Sequence, residues 1–106
     1  MKHLIGPIDD IKPEDPMQVL SGPHKICVVR IGDDFYAIGD TCTHADVSLA
    51  EGELDVETKH IECWKHGSCF SLETGEPDVL PAVIAEPVYP IWAEGDDVFI
   101  EVPDPA

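Results

Sequence analysis

Lys25-Ile26-Cys27-Val28-Val29-Arg30-Ile31, then Gly32-Asp33-Asp34, then Phe35-Tyr36-Ala37-Ile38, is the stretch that decides the fold class. The first run is rich in β-branched residues and reads as a strand. Gly32-Asp33-Asp34 is a turn, and Phe35 to Ile38 returns as the hairpin partner.

The same pattern continues toward the C-terminus. Leu54-Asp55-Val56 and His60-Ile61-Glu62-Cys63 form another short pair, joined through Glu57-Thr58-Lys59. Cys69-Phe70-Ser71-Leu72 is a further strand, closed by the turn Glu73-Thr74-Gly75-Glu76-Pro77. Val83-Ile84 and Val88-Tyr89-Pro90-Ile91-Trp92 are apolar again, and Gly95-Asp96-Asp97 turns into a last strand, Val98-Phe99-Ile100-Glu101-Val102. No stretch has a clear 3.6-residue apolar repeat, and Ser48 to Leu54 makes one helical turn at most. Ten prolines and eight glycines among short apolar runs agree with many turns. The reading is all-β, with antiparallel strands in a sandwich or partial barrel. The tail, Pro103-Asp104-Pro105-Ala106, is expected to fray.

With 106 residues, no internal repeat and no linker, the chain reads as one domain, residues 1–106. The apolar share of 43% is that of an ordinary globular protein. The net charge of −16, with only six Lys and Arg, excludes ordinary nucleic-acid binding, which needs cations to neutralise phosphates. Such acidity keeps a surface solvated and steers the molecule toward basic patches on protein partners. No apolar run approaches the roughly 20 residues of a membrane helix. The N-terminus, Met1-Lys2-His3-Leu4-Ile5-Gly6-Pro7, lacks an apolar signal core, so the expected location is the cytoplasm. Four cysteines in such a setting point to metal more than to disulfides.

Two segments stand apart from the strand pattern: Cys42-Thr43-His44, and Cys63-Trp64-Lys65-His66-Gly67-Ser68. Eighteen residues separate His44 from Cys63. Each segment offers one thiolate and one imidazole from a tight loop, so the pair can clamp a metal centre between them. A structural Cys₂His₂ zinc site uses the same ligand types, but C-x-H is tighter than the usual two to four intervening residues.

The pattern C-x-H followed by C-x-x-H resembles the Rieske family, and the likeness runs from about Lys25 to Val102. It implies an all-β Rieske iron–sulfur domain: antiparallel sheets forming a base, plus a small cluster-binding subdomain of two loops at about residues 41–82. It also implies one [2Fe–2S] cluster as cofactor, with Cys42 and Cys63 on one iron and His44 and His66 on the other. Two neutral imidazoles in place of thiolates raise the reduction potential above that of all-cysteine ferredoxins. Around the ligands, Gly67 is expected to allow close backbone approach and to aim an N–H at a bridging sulfide. Ser68 is a hydroxyl donor by the same comparison, and Leu80-Pro81-Ala82 matches a loop that covers the cluster through Pro81.

High-potential members resemble C-T-H-x-x-C and C-x-C-H, whose extra cysteines form a disulfide. Val47 and Lys65 stand at those positions here, and Phe70 stands where those members have a Tyr. A potential in the lower half of the family range follows. An oxygenase would need a second iron held by two His and a carboxylate. The 40 residues after the last ligand contain no histidine, so the chain is read as an electron-transfer component without a catalytic site.

The likeness is to a soluble ferredoxin that passes electrons from a flavin-dependent reductase to a terminal oxygenase. Glu62-Cys63-Trp64-Lys65-His66-Gly67-Ser68 differs from the C-P-x-H-G-G of aromatic-ring dioxygenase ferredoxins, and is more similar to Rieske ferredoxins that accompany iron–sulfur assembly proteins. The small subunit of assimilatory nitrite reductase has a similar fold and is a third reading. Trp64 and Lys65, at the tip of the second loop, are candidate partner-docking residues. Cys27 reads as a buried inert thiol. Cys69 reads as an apolar neighbour of the cluster, and His60 as a surface or cross-strand residue. His3 and His24 lie outside any pattern.

Overall fold

The computed structural model describes residues 2–21, 24–41, 47–65, 67–78 and 84–102. Among these, nine strands follow in order: β1 (Lys2–Pro7), β2 (Met17–Ser21), β3 (His24–Ile31), β4 (Asp34–Gly39), β5 (Glu53–Asp55), β6 (His60–Glu62), β7 (Cys69–Ser71), β8 (Ile91–Glu94) and β9 (Asp97–Glu101). They form three antiparallel sheets, ordered β1-β9-β8, β2-β3-β4 and β5-β6-β7. The third sheet is inserted in the chain between β4 and β8.

The run Ile26-Cys27-Val28-Val29 is apolar without interruption because β3 is buried on both faces. Successive side chains of a strand point to opposite sides. Ile26 and Val28 therefore enter one core with Val19, Ala37, Val98 and Ile100, between the first two sheets. Cys27 and Val29 enter a second core with Ile38, Leu49, Ile61, Cys63, Phe70 and Leu72. The β2-β3-β4 sheet is thus the middle layer. Each fully buried aliphatic or aromatic side chain contributes about 1.5–3 kcal/mol relative to exposure.

The turns follow local chemistry. The two Gly-Asp-Asp sequences each make a two-residue hairpin connection, with φ of 61° at Gly32 and 62° at Gly95. After β5, the Asp55 carboxylate accepts the N–H groups of Glu57 (3.1 Å) and Thr58 (3.3 Å). The single helical turn expected between Ser48 and Leu54 is a 3₁₀ turn at Leu49–Glu51.

The structure goes beyond the sequence reading in three places. Strands β1 and β2 were absent from the sequence reading. Both lie at sheet edges; Gly6 and Pro7 end β1, a bulge interrupts it between Leu4 and Gly6, and Ser21 fills an inward position of β2. The apolar run 88–92 does not form one strand. Pro90 has no N–H for a ladder, so Val88 makes only an isolated bridge to Ile38 and β8 begins at Ile91. Ile84 lies in a bend and is exposed. Val83 and the tail lie outside the described residues.

Candidate metal centre

The first ligand segment emerges from β4. Its neck is closed by a bridge between Thr41 and Ser48 and by the Leu49 N–H donating to the Asp40 carbonyl at 2.6 Å. Asp40 is buried, and its Oδ1 accepts the Ala50 N–H at 3.0 Å while Oδ2 accepts Gln18 Nε2 at 2.6 Å. Cys42 and His44 belong to the segment that this neck closes, and they lie outside the described residues.

The second segment is the loop of the β6–β7 hairpin. Cys63 N–H donates to the Ser68 carbonyl at 2.7 Å, and Gly67 N–H donates to the Cys63 carbonyl at 2.9 Å. Gly67 has φ of 76°, a left-handed conformation that L side chains rarely adopt, and among the described residues beyond its chain neighbours nothing lies within 4 Å of an added Cβ. Its requirement is thus the turn. Among the described residues its N–H is spent inside the loop rather than aimed outward. Ser68 is fully buried beside Cys63, whereas Trp64 is 55% exposed and Lys65 is exposed at the tip. His66 lies outside the described residues.

The residues that follow the first segment share a core with the second loop. Val47, just after the first segment, and Leu49 pack into the cluster that contains Cys63, Ile61 and Phe70. Cys63 is fully buried and free, as are Cys27 (buried) and Cys69 (partly exposed). A buried thiol at the foot of a glycine-turned loop, sharing an apolar core with Val47 and Leu49, is the kind of donor an iron–sulfur centre uses. Pro81 lies outside the described residues. The chain that follows it is anchored by Glu86 N–H to the Gly75 carbonyl and by Gly39 N–H to the Pro87 carbonyl, both 2.8 Å.

The remaining candidates are placed elsewhere. Cys69 points away from the core, its Sγ 3.8 Å from Glu62 Oε2. Burial, then the Glu62 and Asp78 carboxylates, push its thiol pKa up. It borders an open hollow of about 640 Å³ lined by Glu53, Asp55, His60, Glu62 and Asp78 among others. His60 Nε2 meets Asp78 Oδ2 at 2.9 Å and Nδ1 meets the Thr58 carbonyl at 2.7 Å, so both ring nitrogens are engaged by loop residues beside β6. No group of three or more His, Cys, Asp or Glu among the described residues has the geometry to hold a metal. Cys27 is inert: burial, then Asp40 and Glu86, push its thiol far above the ordinary range.

Gly52 has a position the sequence reading missed. A Cβ there would collide with the Glu62 carbonyl, one residue before Cys63. Gly52→Ala is expected to cost about 1–3 kcal/mol by forced backbone displacement. The checks are thermal unfolding and iron content, both of which should fall together.

A family model described as Rieske [2Fe-2S] domain matches residues 1–90. The 3-phenylpropionate/cinnamic acid dioxygenase ferredoxin subunit of Shigella boydii serotype 4 (strain Sb227) is 35% identical over 98 residues, covering 92% of this chain and 91% of that one. The ferredoxin of carbazole 1,9a-dioxygenase from Nocardioides aromaticivorans IC177 superposes with a TM-score of 0.91 at 31% identity, covering 94% of this chain and 96% of that one. The match extends to a complex of reduced oxygenase and oxidized ferredoxin in carbazole 1,9a-dioxygenase, with a TM-score of 0.86, 34% identity, and 93% and 91% of the two chains covered. With the family model matching residues 1–90 and these likenesses along its length, the chain belongs to the Rieske [2Fe-2S] domain family.

Proposed function

We propose that this chain is a one-electron carrier, a Rieske-type ferredoxin that takes electrons from a flavin-dependent reductase and delivers them to a terminal oxygenase in the cytoplasm. It holds one [2Fe–2S] cluster through Cys42, His44, Cys63 and His66. The observation that supports this best is the buried Cys63 at the foot of a glycine-turned loop, sharing its core with the end of the first loop. When bound, the cluster supplies reversible one-electron chemistry. The chain's part is to hold it rigidly and to present it. Relatives named as dioxygenase ferredoxin subunits favour this reading over iron–sulfur assembly or a nitrite-reductase-like module, despite the unusual second loop. No described helix is long and apolar enough to cross a membrane.

The test is an absorption and electron paramagnetic resonance spectrum before and after dithionite. A red-brown protein whose reduced form has a rhombic signal at low average g supports the reading, and a colourless zinc protein overturns it. The midpoint potential is expected in the lower half of the span of about −150 to +300 mV, because Phe70 offers no hydroxyl and Lys65 no disulfide; a value above about +200 mV contradicts this. His66→Cys should lower the potential and change the spectrum, and an unchanged spectrum would remove His66 from the ligand set.

Trp64 and Lys65 form the docking tip. An exposed Trp is the residue type that most often dominates an interface. Trp64→Ala should slow electron delivery to the oxygenase on the order of tenfold, while melting temperature and cluster spectrum stay unchanged. With a net charge of −16, the association rate should also fall as salt is raised. Stopped-flow oxidation of the reduced protein reads both effects.

A further inference from the structure

Asp40 is 1% exposed, and its backbone and carboxylate join four segments. Its N–H donates to the Lys25 carbonyl of β3 at 2.9 Å, and its carbonyl accepts the Leu49 N–H at 2.6 Å. Its carboxylate accepts from Gln18 of β2 at 2.6 Å and from the Ala50 N–H at 3.0 Å. The 3₁₀ turn leaving the first ligand loop is thereby tied to the strand entering it, and both to the middle sheet. Two peptide units separate Asp40 from Cys42, which limits their Cα atoms to about 7 Å.

A neutral side chain would suffice for a hinge of this kind, yet the position carries an acid. Among the described residues its side-chain partners are neutral amides, with no Lys or Arg paired to it. A buried carboxylate held by dipoles is far less screened than one at the surface. A negative charge fixed beside a redox centre opposes the arrival of an electron.

We propose that Asp40 is a positioning residue for the cluster: it clamps the neck of the first ligand loop, and its charge holds the midpoint potential down. This rests on the cluster assignment above and goes beyond it by naming a residue outside the ligand motif.

The experiment uses the full chain with its cluster, as wild type, Asp40→Asn, Asp40→Ala and Gln18→Leu. Readouts are iron and sulfide content, g-values and midpoint potential, with circular dichroism to confirm the fold. An Asn amide oxygen can still accept from Ala50, and Gln18 can turn its own amide to match. Asp40→Asn should therefore keep the cluster and move the potential upward. Asp40→Ala should lose several-fold in iron content and broaden the resonance signal. Gln18→Leu removes a donor and leaves the charge less compensated, so its potential should move down.

Asp40→Asn loaded at wild-type potential overturns the electrostatic part, as does an unmoved potential in Gln18→Leu if Asp40→Asn does not load. Asp40→Ala with wild-type iron content and g-values overturns the clamp. Wild type without a cluster overturns the proposed function itself.

Discussion

Cys63→Ser is expected to abolish the visible spectrum and the resonance signal of the reduced protein, while sheet structure survives. The thiolate is the soft ligand that iron–sulfur chemistry needs, and a serine hydroxyl is a poor substitute. The site is fully buried, so the new hydroxyl must find a partner or cost about 1–3 kcal/mol, a loss that the two cores can absorb. Cys69→Ser is the matched control six residues away on the same hairpin. Its thiol faces Glu62 and the acidic hollow instead of the core, so iron content and spectrum should match wild type. Iron analysis and absorption of the two variants, purified side by side, separate the readings. Equal iron in both would remove Cys63 from the ligand set.

That contrast was half legible in the sequence. Spacing singled out Cys42, His44, Cys63 and His66, because a ligand motif is local and its chemistry needs specific residue types. The side on which Cys69 falls depends on the strand alternation of β7, where Phe70 takes the inward position. Strands β3, β4 and β9 were readable because their apolar content is dense. The edge strands β1 and β2 were not, since Leu4 and Leu20 face outward among polar neighbours, which blurs the alternation, and Gly6 and Pro7 mimic a loop.

Asp40, Gly52 and Gly75 escaped for a different reason. Their roles come from segments distant in the chain: Gln18 for Asp40, the Glu62 carbonyl for Gly52, the Glu86 carbonyl for Gly75. Nothing in a neighbouring residue announces such contacts. A buried acid two residues before the first motif cysteine is the one signal that could have been followed, and it needs the knowledge that position 40 is inside.

Phe70→Ala tests whether the second core supports the metal centre or only the fold. Phe70 is the largest fully buried side chain, and it lies in the core with Cys63 and Leu49, on the strand opposite Ile61. Removing it should cost about 3–5 kcal/mol, including the cavity left behind. Small domains have about 5–15 kcal/mol in all, so the melting temperature should fall by roughly 15–30 °C. Ile100→Ala removes a fully buried side chain from the other core and should cost about 2–5 kcal/mol. The two variants should part in a second measurement. A cluster bound only to the native state adds its binding energy to folding, so loosening the core under its ligands weakens both. Phe70→Ala should therefore lose its cluster to a chelator well below its unfolding temperature, whereas Ile100→Ala should keep it until the whole chain unfolds. Chelator-induced bleaching followed against temperature, with circular dichroism on the same samples, decides the matter. Coincident bleaching and unfolding in both variants would mean that the two cores form one cooperative unit, with no special tie between Phe70 and the centre.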